Sequence, residues 1–206
     1  MVSKRDLSVT LSRLKGFEDP SLKDEQYVTD SEIAGDILWT AFMSGEIEGK
    51  TIADLGAGTG VLGIGSLLLG AKKVYFVEKD KKAADILKKN LTEISSMSEF
   101  KGKYEIVEED VKKFSKKTDL TIQNPPFGTK TKHADKAFLE KAFETSNMIY
   151  SFHKTSTEDF VKAITKDHGF KIQRIYDYNY PLKNTHIIHK KKIERIKVSC
   201  YKLIRQ

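Results

Sequence analysis

One cysteine, one tryptophan and four prolines are all that this 206-residue chain holds of those three types. The single cysteine, Cys200, excludes an internal disulfide and a multi-cysteine zinc site. The five histidines show no metal-ligand spacing. No apolar run reaches membrane-spanning length, and Met1-Val2-Ser3-Lys4-Arg5 has no apolar stretch behind it, so a soluble, cytoplasmic protein is expected. Acidic residues are in deficit: 36 Lys and Arg against 29 Asp and Glu leave a net charge of +7 and a pI near 9.2. That excess suits a polyanionic partner such as a nucleic acid, although a lysine-rich solvated surface gives the same value. With 39% apolar residues the chain can close one core, so a single domain over 1–206 is expected, including a helical and loop extension of about residues 1–30.

Scarce as proline is, two stand side by side. Asn124-Pro125-Pro126-Phe127 follows the apolar run Leu120-Thr121-Ile122 and precedes Gly128. An exocyclic amino group on a base is planar and poorly nucleophilic, because its lone pair is delocalised into the ring. Acceptors on both hydrogens strip that delocalisation. The Asn124 side-chain oxygen can take one hydrogen and the Pro125 carbonyl the other, while the two prolines fix φ and add no competing donor. Phe127 offers a face on which a planar base stacks. A Pro-Pro pair can also do no more than end a strand. The clamp reading makes Asn124, Pro125, Pro126 and Phe127 the catalytic residues, with Asn124 also counted among the cofactor-binding ones.

Upstream, Asp54-Leu55-Gly56-Ala57-Gly58-Thr59-Gly60 lies between the run Thr51-Ile52-Ala53 and a helical pattern at Val61, Leu62, Ile64, Leu67 and Leu68. Strand, glycine turn and helix in that order let backbone come into contact with a ligand at Gly56, Gly58 and Gly60. Gly58-x-Gly60-x-x-Gly63 also satisfies the dinucleotide fingerprint, and Glu78, about twenty residues on, suits a ribose in either case. Asp54 argues against a phosphate and for a cationic ligand with an amino-acid end, such as S-adenosylmethionine. A hydride-transfer enzyme, moreover, has no use for an amine clamp.

The rest of the chain alternates strands and helices, which predicts a parallel sheet with helices on both faces. A short helix is expected over Lys4 to Gly16, a loop over Phe17 to Asp30, and a helix over Glu32 to Met43. Strands are expected up to Leu55, over Lys73 to Val77, Tyr104 to Val107, Leu120 to Gln123 and Met148 to Phe152. The connecting helices run Lys81 to Glu93, Ala134 to Ser146 and Thr157 to Asp167. Two β segments follow after Phe170, around a loop carrying Tyr180-Pro181 and the basic run His189-Lys190-Lys191-Lys192. Ligands of open α/β sheets bind at the carboxyl ends of the strands, which places Glu78 on a ribose diol. The same rule brings Asp110, chosen from Glu108-Glu109-Asp110, to the adenine amino group of the cofactor. Gln26 and Tyr27 on the N-terminal loop are candidates to close over the cofactor, as alternatives to a loop pinned to the core. Lys130 and Lys132 lie on an expected mobile loop after the clamp. His153 and Lys154 end the fifth strand on the same edge, and Lys190, Lys191 and Lys192 are further phosphate contacts.

Together these residues resemble the Rossmann-like class I S-adenosylmethionine-dependent methyltransferases that modify amino groups. More narrowly, the chain is similar to the methyltransferase-like protein five family of ribosomal-RNA adenine-N6 methyltransferases and its archaeal relatives. The likeness runs from Gly16-Phe17-Glu18 and Glu25-Gln26-Tyr27 through the Asp54-to-Gly60 loop and Asn124-to-Lys130. It ends in Tyr150-Ser-Phe-His-Lys154 and His189-to-Lys192. It implies seven strands in the order 3-2-1-4-5-7-6 and methyl transfer to adenine N6 in small-subunit rRNA. It also implies a small zinc-binding Trm112-like activator on the edge strand Tyr104 to Val107, and no metal in the chain itself. The glycine loop departs from the eukaryotic members, which favour cysteines there, and so suggests a distant or prokaryotic branch. Protein glutamine methyltransferases share an Asn-Pro-Pro-aromatic clamp but usually carry a larger N-terminal helical domain. A non-catalytic RNA-binding scaffold is the third alternative.

Overall fold

A computed structural model describes residues 3–17, 28–98, 100–127, 134–182 and 194–206. In chain order the elements are α1 (Lys4–Ser12), α2 (Ser31–Met43), β1 (Thr51–Leu55), α3 (Val61–Leu68), β2 (Lys73–Val77), α4 (Lys81–Met97) and β3 (Lys103–Val107). They continue with β4 (Leu120–Gln123), α5 (Ala134–Thr145), β5 (Met148–Lys154), α6 (Glu158–Asp167), β6 (Phe170–Leu182) and β7 (Glu194–Arg205). All seven strands join one sheet in the order β3-β2-β1-β4-β5-β7-β6, as the resemblance implied. β1 to β5 run parallel, and β7 lies antiparallel between β5 and β6.

Two apolar cores sit on opposite faces of this sheet, and the strands divide their side chains between them by simple alternation. Ile52, Val74, Phe76, Leu120, Ile122 and Tyr150 face one core together with α1, α2, α3 and α4. Ala53, Leu55, Val77, Ile149, Tyr201 and Leu203 face the other with α5 and α6. β4 is buried on both faces although it alternates apolar and polar residues, because Thr121 pairs with the Ser146 hydroxyl and Gln123 donates to the Ser151 hydroxyl inside. Asp30 caps α2 by accepting from the Glu32 and Ile33 amides, a contact of the kind worth about 1 kcal/mol. Among the described residues, no helix is long and apolar enough to cross a membrane.

Four elements differ from expectation by more than a residue. α1 stops at Ser12, short of Gly16. α4 continues to Met97, carried by a buried stripe that extends through Leu91 to Ile94. β5 continues to Lys154 because Phe152, His153 and Lys154 pair with Cys200, Ser199 and Val198. Tyr180-Pro181, expected in a loop, belongs to β6, where Tyr180 pairs with Ile196 and Pro181 with Arg195. A proline is admissible there because β6 is the sheet's edge, and an edge strand has one side that need not pair.

Candidate active site

The order of the sheet reverses between β1 and β4, the position at which open α/β sheets leave a crevice outside the strand ends. Leu55 and Gln123 are register partners there, so the glycine turn that follows β1 and the Asn124 turn that follows β4 leave the sheet side by side.

Backbone builds the glycine side. The Gly56 and Ala57 amides both donate to the Val77 carbonyl at the end of β2, at 2.9 and 3.0 Å. Gly58, at φ +55°, donates its amide to Glu78 Oε2 at 2.8 Å, and Glu78 Oε1 accepts from the Asp80 amide at 2.8 Å. The Glu78 carboxylate thereby ties the turn to the start of α4, with lone pairs left over for a diol. Burial pushes its pKa up, against the pull of those two amides. Gly63 is explained by packing: a Cβ there would lie 2.2 Å from Phe76 Cε1, so α3 can approach β2 only without one. Asp54 corrects an expectation. Its side chain is 2% exposed and its Oδ2 accepts from the Gly63 amide at 2.8 Å, so it braces the loop from beneath instead of facing a ligand directly. Burial, with Glu78 nearby, pushes its pKa up to about 7.

Side chains build the other side. Asn124 Nδ2 donates to Thr29 Oγ1 at 3.1 Å and to Tyr180 Oη at 3.2 Å. Tyr180 spends its one hydroxyl hydrogen on the Val28 carbonyl at 3.1 Å, so towards Asn124 it can only accept. That fixes which end of the amide is NH2 and leaves Oδ1 as the end turned away, buried and, among the described residues, without a hydrogen-bond partner. A buried acceptor left unsatisfied costs about 1–3 kcal/mol, and at a crevice the natural remedy is a donor from a bound molecule. Phe127 is 7% exposed and meets Tyr180 edge-on at 6.2 Å, so it stands as a wall of the core rather than an open stacking platform.

A family model described as conserved hypothetical protein 95 matches residues 38–176. The rRNA N(6)-adenosine-methyltransferase METTL5 of Danio rerio is 36% identical over 94% of this chain and 95% of its own length. An uncharacterised protein of Methanocaldococcus jannaschii, MJ0284, is 34% identical over 98% of this chain and 94% of its own. The chain belongs to the METTL5 family. The crystal structure of a candidate RNA methyltransferase from Pyrococcus horikoshii, PH1948, superposes with a TM-score of 0.89 at 44% identity, covering 100% of this chain and 98% of that one.

The remaining expected residues of this METTL5-family chain separate into three groups. Asp110 sits just past the carboxyl end of β3, the outer strand of the sheet, where its Oδ1 caps the 3-10 turn Val111–Lys113 by accepting from the Lys112 amide at 2.9 Å. His153 is misplaced as a substrate contact. It is 1% exposed, held by Ser151 Oγ at 2.7 Å on Nε2 and by Asp135 Oδ2 at 3.2 Å on Nδ1, because the pleat turns it inward; Lys154 beside it is half-buried. Gln26, Tyr27, Lys130, Lys132, Lys190, Lys191 and Lys192 lie outside the described residues.

Thr29, Tyr180, Asn90 and Phe17 were not anticipated. Tyr176, Tyr178 and Tyr180 alternate along one face of β6, a period-two signal outweighed by the proline that follows. Asn90 is a polar residue on the apolar stripe of α4, between Leu87 and Leu91, and that misfit was visible in the sequence.

Proposed function

We propose that this chain transfers a methyl group from S-adenosylmethionine to the N6 amino group of an adenine in ribosomal RNA, specifically of the small subunit, and that residues 1–206 work as one domain. The observation that carries the proposal is the orientation of Asn124: both amide hydrogens are committed to Thr29 and Tyr180, while Oδ1 points away with no partner among the described residues. A scaffold protein has no use for such an acceptor. The glycine side fits the donor: turn glycines at positive φ admit close approach, and the Glu78 carboxylate suits a ribose diol. When bound, the donor supplies an electrophilic methyl group on a sulfonium. Gly56, Gly58, Gly60 and Glu78 would hold it, with Asp54 bracing the turn, Asp110 near the adenine amino group, and Gln26 and Tyr27 contributing from the N-terminal loop.

Asn124 Oδ1 and the Pro125 carbonyl each accept one hydrogen of the target amine. The nitrogen lone pair is then drawn out of conjugation and aimed across the crevice. Pro125 and Pro126 hold the turn rigid, and Phe127 bounds the slot. The donor, when bound, would supply the methyl carbon to that lone pair with the thioether as leaving group, and the amine would give up one proton to water. The target adenine must leave its stack, at a cost of a few kcal/mol, which favours a loop or single-stranded site. Lys130, Lys132, Lys154 and Lys190 to Lys192 position the phosphate backbone without choosing the base.

Nucleoside mass spectrometry of deproteinised ribosomal RNA, incubated with the protein and isotopically labelled donor, tests this. Labelled N6-methyladenosine is expected; label on a protein glutamine, or none at all, sinks the proposal. A small zinc-binding Trm112-like partner fits the β3 edge, where Tyr104 is 46% exposed and Phe100 meets it edge-on. Tyr104→Glu should abolish co-elution with such a partner, and unchanged co-elution would exclude β3 as the dock.

A further inference from the structure

The glycine side and the clamp are not neighbours only through the sheet; a third element touches both. Asn90 lies inside α4 with no exposed surface, and its amide makes three hydrogen bonds. Its Oδ1 accepts from the Lys15 amide at 2.9 Å, and its Nδ2 donates to the Lys15 carbonyl at 3.0 Å and to the Thr59 carbonyl at 2.8 Å. One side chain thus binds the N-terminal segment and the glycine turn to the same helix. Lys15 Nζ adds a pairing with Glu93 at 3.4 Å, also on α4. Phe17 lies over the turn, its Cζ 3.1 Å from where a Gly58 Cβ would stand.

The same segment reaches the clamp. Gly16 packs on Val28 so closely that a Cβ on Gly16 would lie 3.1 Å from Val28 Cγ2. Val28 and Thr29 are the residues whose carbonyl and hydroxyl hold Tyr180 and Asn124. The contacts therefore run without a gap from Thr59 through Asn90, Lys15, Gly16 and Val28 to Tyr180 and Asn124. A buried asparagine in a helix interior is a poor choice for stability alone, since an aliphatic residue there needs no partners.

We propose that residues 15–17 together with 28–29 form a coupling strap, fastened by Asn90, through which the orientation of the Asn124 amide depends on the donor turn. This rests on the assignment of Asn124 as the acceptor of the target amine. Asn90, Gly16 and Thr29 are then positioning residues. Loosening the strap at its donor end must then also disturb the clamp, whereas loosening it at the clamp end leaves the donor turn fastened by Asn90.

Two readouts separate this from a purely structural role: the Kd of S-adenosylhomocysteine by calorimetry, and kcat for methyl transfer to deproteinised ribosomal RNA at saturating donor. Asn90→Leu should move both, each by about tenfold, within the usual range of coupling between sites. Gly16→Val leaves Asn90, Gly58 and Asn124 untouched and wedges the strap away from Val28. It should lower kcat several-fold while keeping the Kd within about twofold, and it serves if Asn90→Leu fails to fold. Thr29→Val should lower kcat alone, and Thr29→Ser, which keeps the hydroxyl, should restore it. If Gly16→Val and any folded Asn90→Leu protein keep the wild-type kcat at saturating donor, the strap is only a wall and the coupling is overturned. A wild-type protein that neither binds S-adenosylhomocysteine nor transfers methyl overturns the proposed function along with it.

Discussion

The donor side and the amine side of this crevice are built in opposite ways. On the donor side, backbone amides of Gly56, Ala57, Gly58 and Gly63 are held by Val77, Glu78 and Asp54, all within about two strands of one another in sequence. On the amine side, one side chain is gripped by Thr29 and Tyr180, residues 95 and 56 positions away. A site made of backbone held by partners close in sequence depends on its glycines and on the carboxylates of Glu78 and Asp54, all set within one βαβ unit. A site made of distant hydroxyls depends on each of them. Substitutions on the two sides should therefore act on different constants, donor Kd on one and kcat on the other.

Asn124→Ala puts that contrast under the greatest load. Loss of one preorganised polar contact to the reacting group typically costs about 10²–10³ in kcat, while the donor turn is left intact. The expected result is collapsed turnover at nearly wild-type donor Kd, and retained turnover would place the chemistry elsewhere. Glu78→Ala is the mirror experiment: donor affinity should fall by about 1–3 kcal/mol, since a buried carboxylate that braces the turn is lost, with kcat at saturating donor much less affected. Titration calorimetry and single-turnover rates distinguish the two patterns.

Asp54 gives a signature that belongs to the donor side alone. Its pKa in the folded protein, about 7, lies above its ordinary 3.8, so between those values the folded state keeps a proton that the unfolded chain has lost. Stability should accordingly fall as pH rises through that window, at up to about 1.4 kcal/mol per pH unit, and level off above it. Asp54→Asn, which still accepts from Gly63, should flatten that fall in denaturant titrations of the ligand-free protein. An equally steep fall in the variant would assign the effect to other groups. The smallest effect is expected from Tyr180→Phe. The ring and its edge-on contact with Phe127 remain, but the amide loses one of its two holds, which should reduce kcat by the equivalent of about 0.5–1.5 kcal/mol with donor Kd unmoved. A shift in donor Kd of the same size would erase the distinction between the two sides.

The same contrast explains what was legible in the sequence. β2 and β4 have their expected limits and β1 its expected end, because central parallel strands are short segments built around apolar residues and cut off by glycine, proline or charge. The glycine turn, Glu78 and the clamp are local patterns and were found as such. His153 was placed on the right strand but on the wrong side of it, since nothing local announces that Asp135 waits inside for its Nδ1. Asp54 was read for its charge when burial had already decided its role as a brace. Tyr180 was lost to its neighbour Pro181, a breaker everywhere except at an edge, and edges are decided by the whole sheet. Thr29 carries no pattern at all until Asn124 is folded against it.

Strand order also sets a timetable. β6 reaches the sheet only through β7, which is synthesised after it yet lies between it and β5. Everything the donor turn needs, from β1 to the start of α4, is synthesised well before β7, but a single domain folds as a unit. The hydroxyl of Tyr180 cannot take its place until that last strand has been threaded in. Chemical competence thus reports that the whole sheet has closed, because the hold on Asn124 depends on a strand that reaches the sheet only through the last one made.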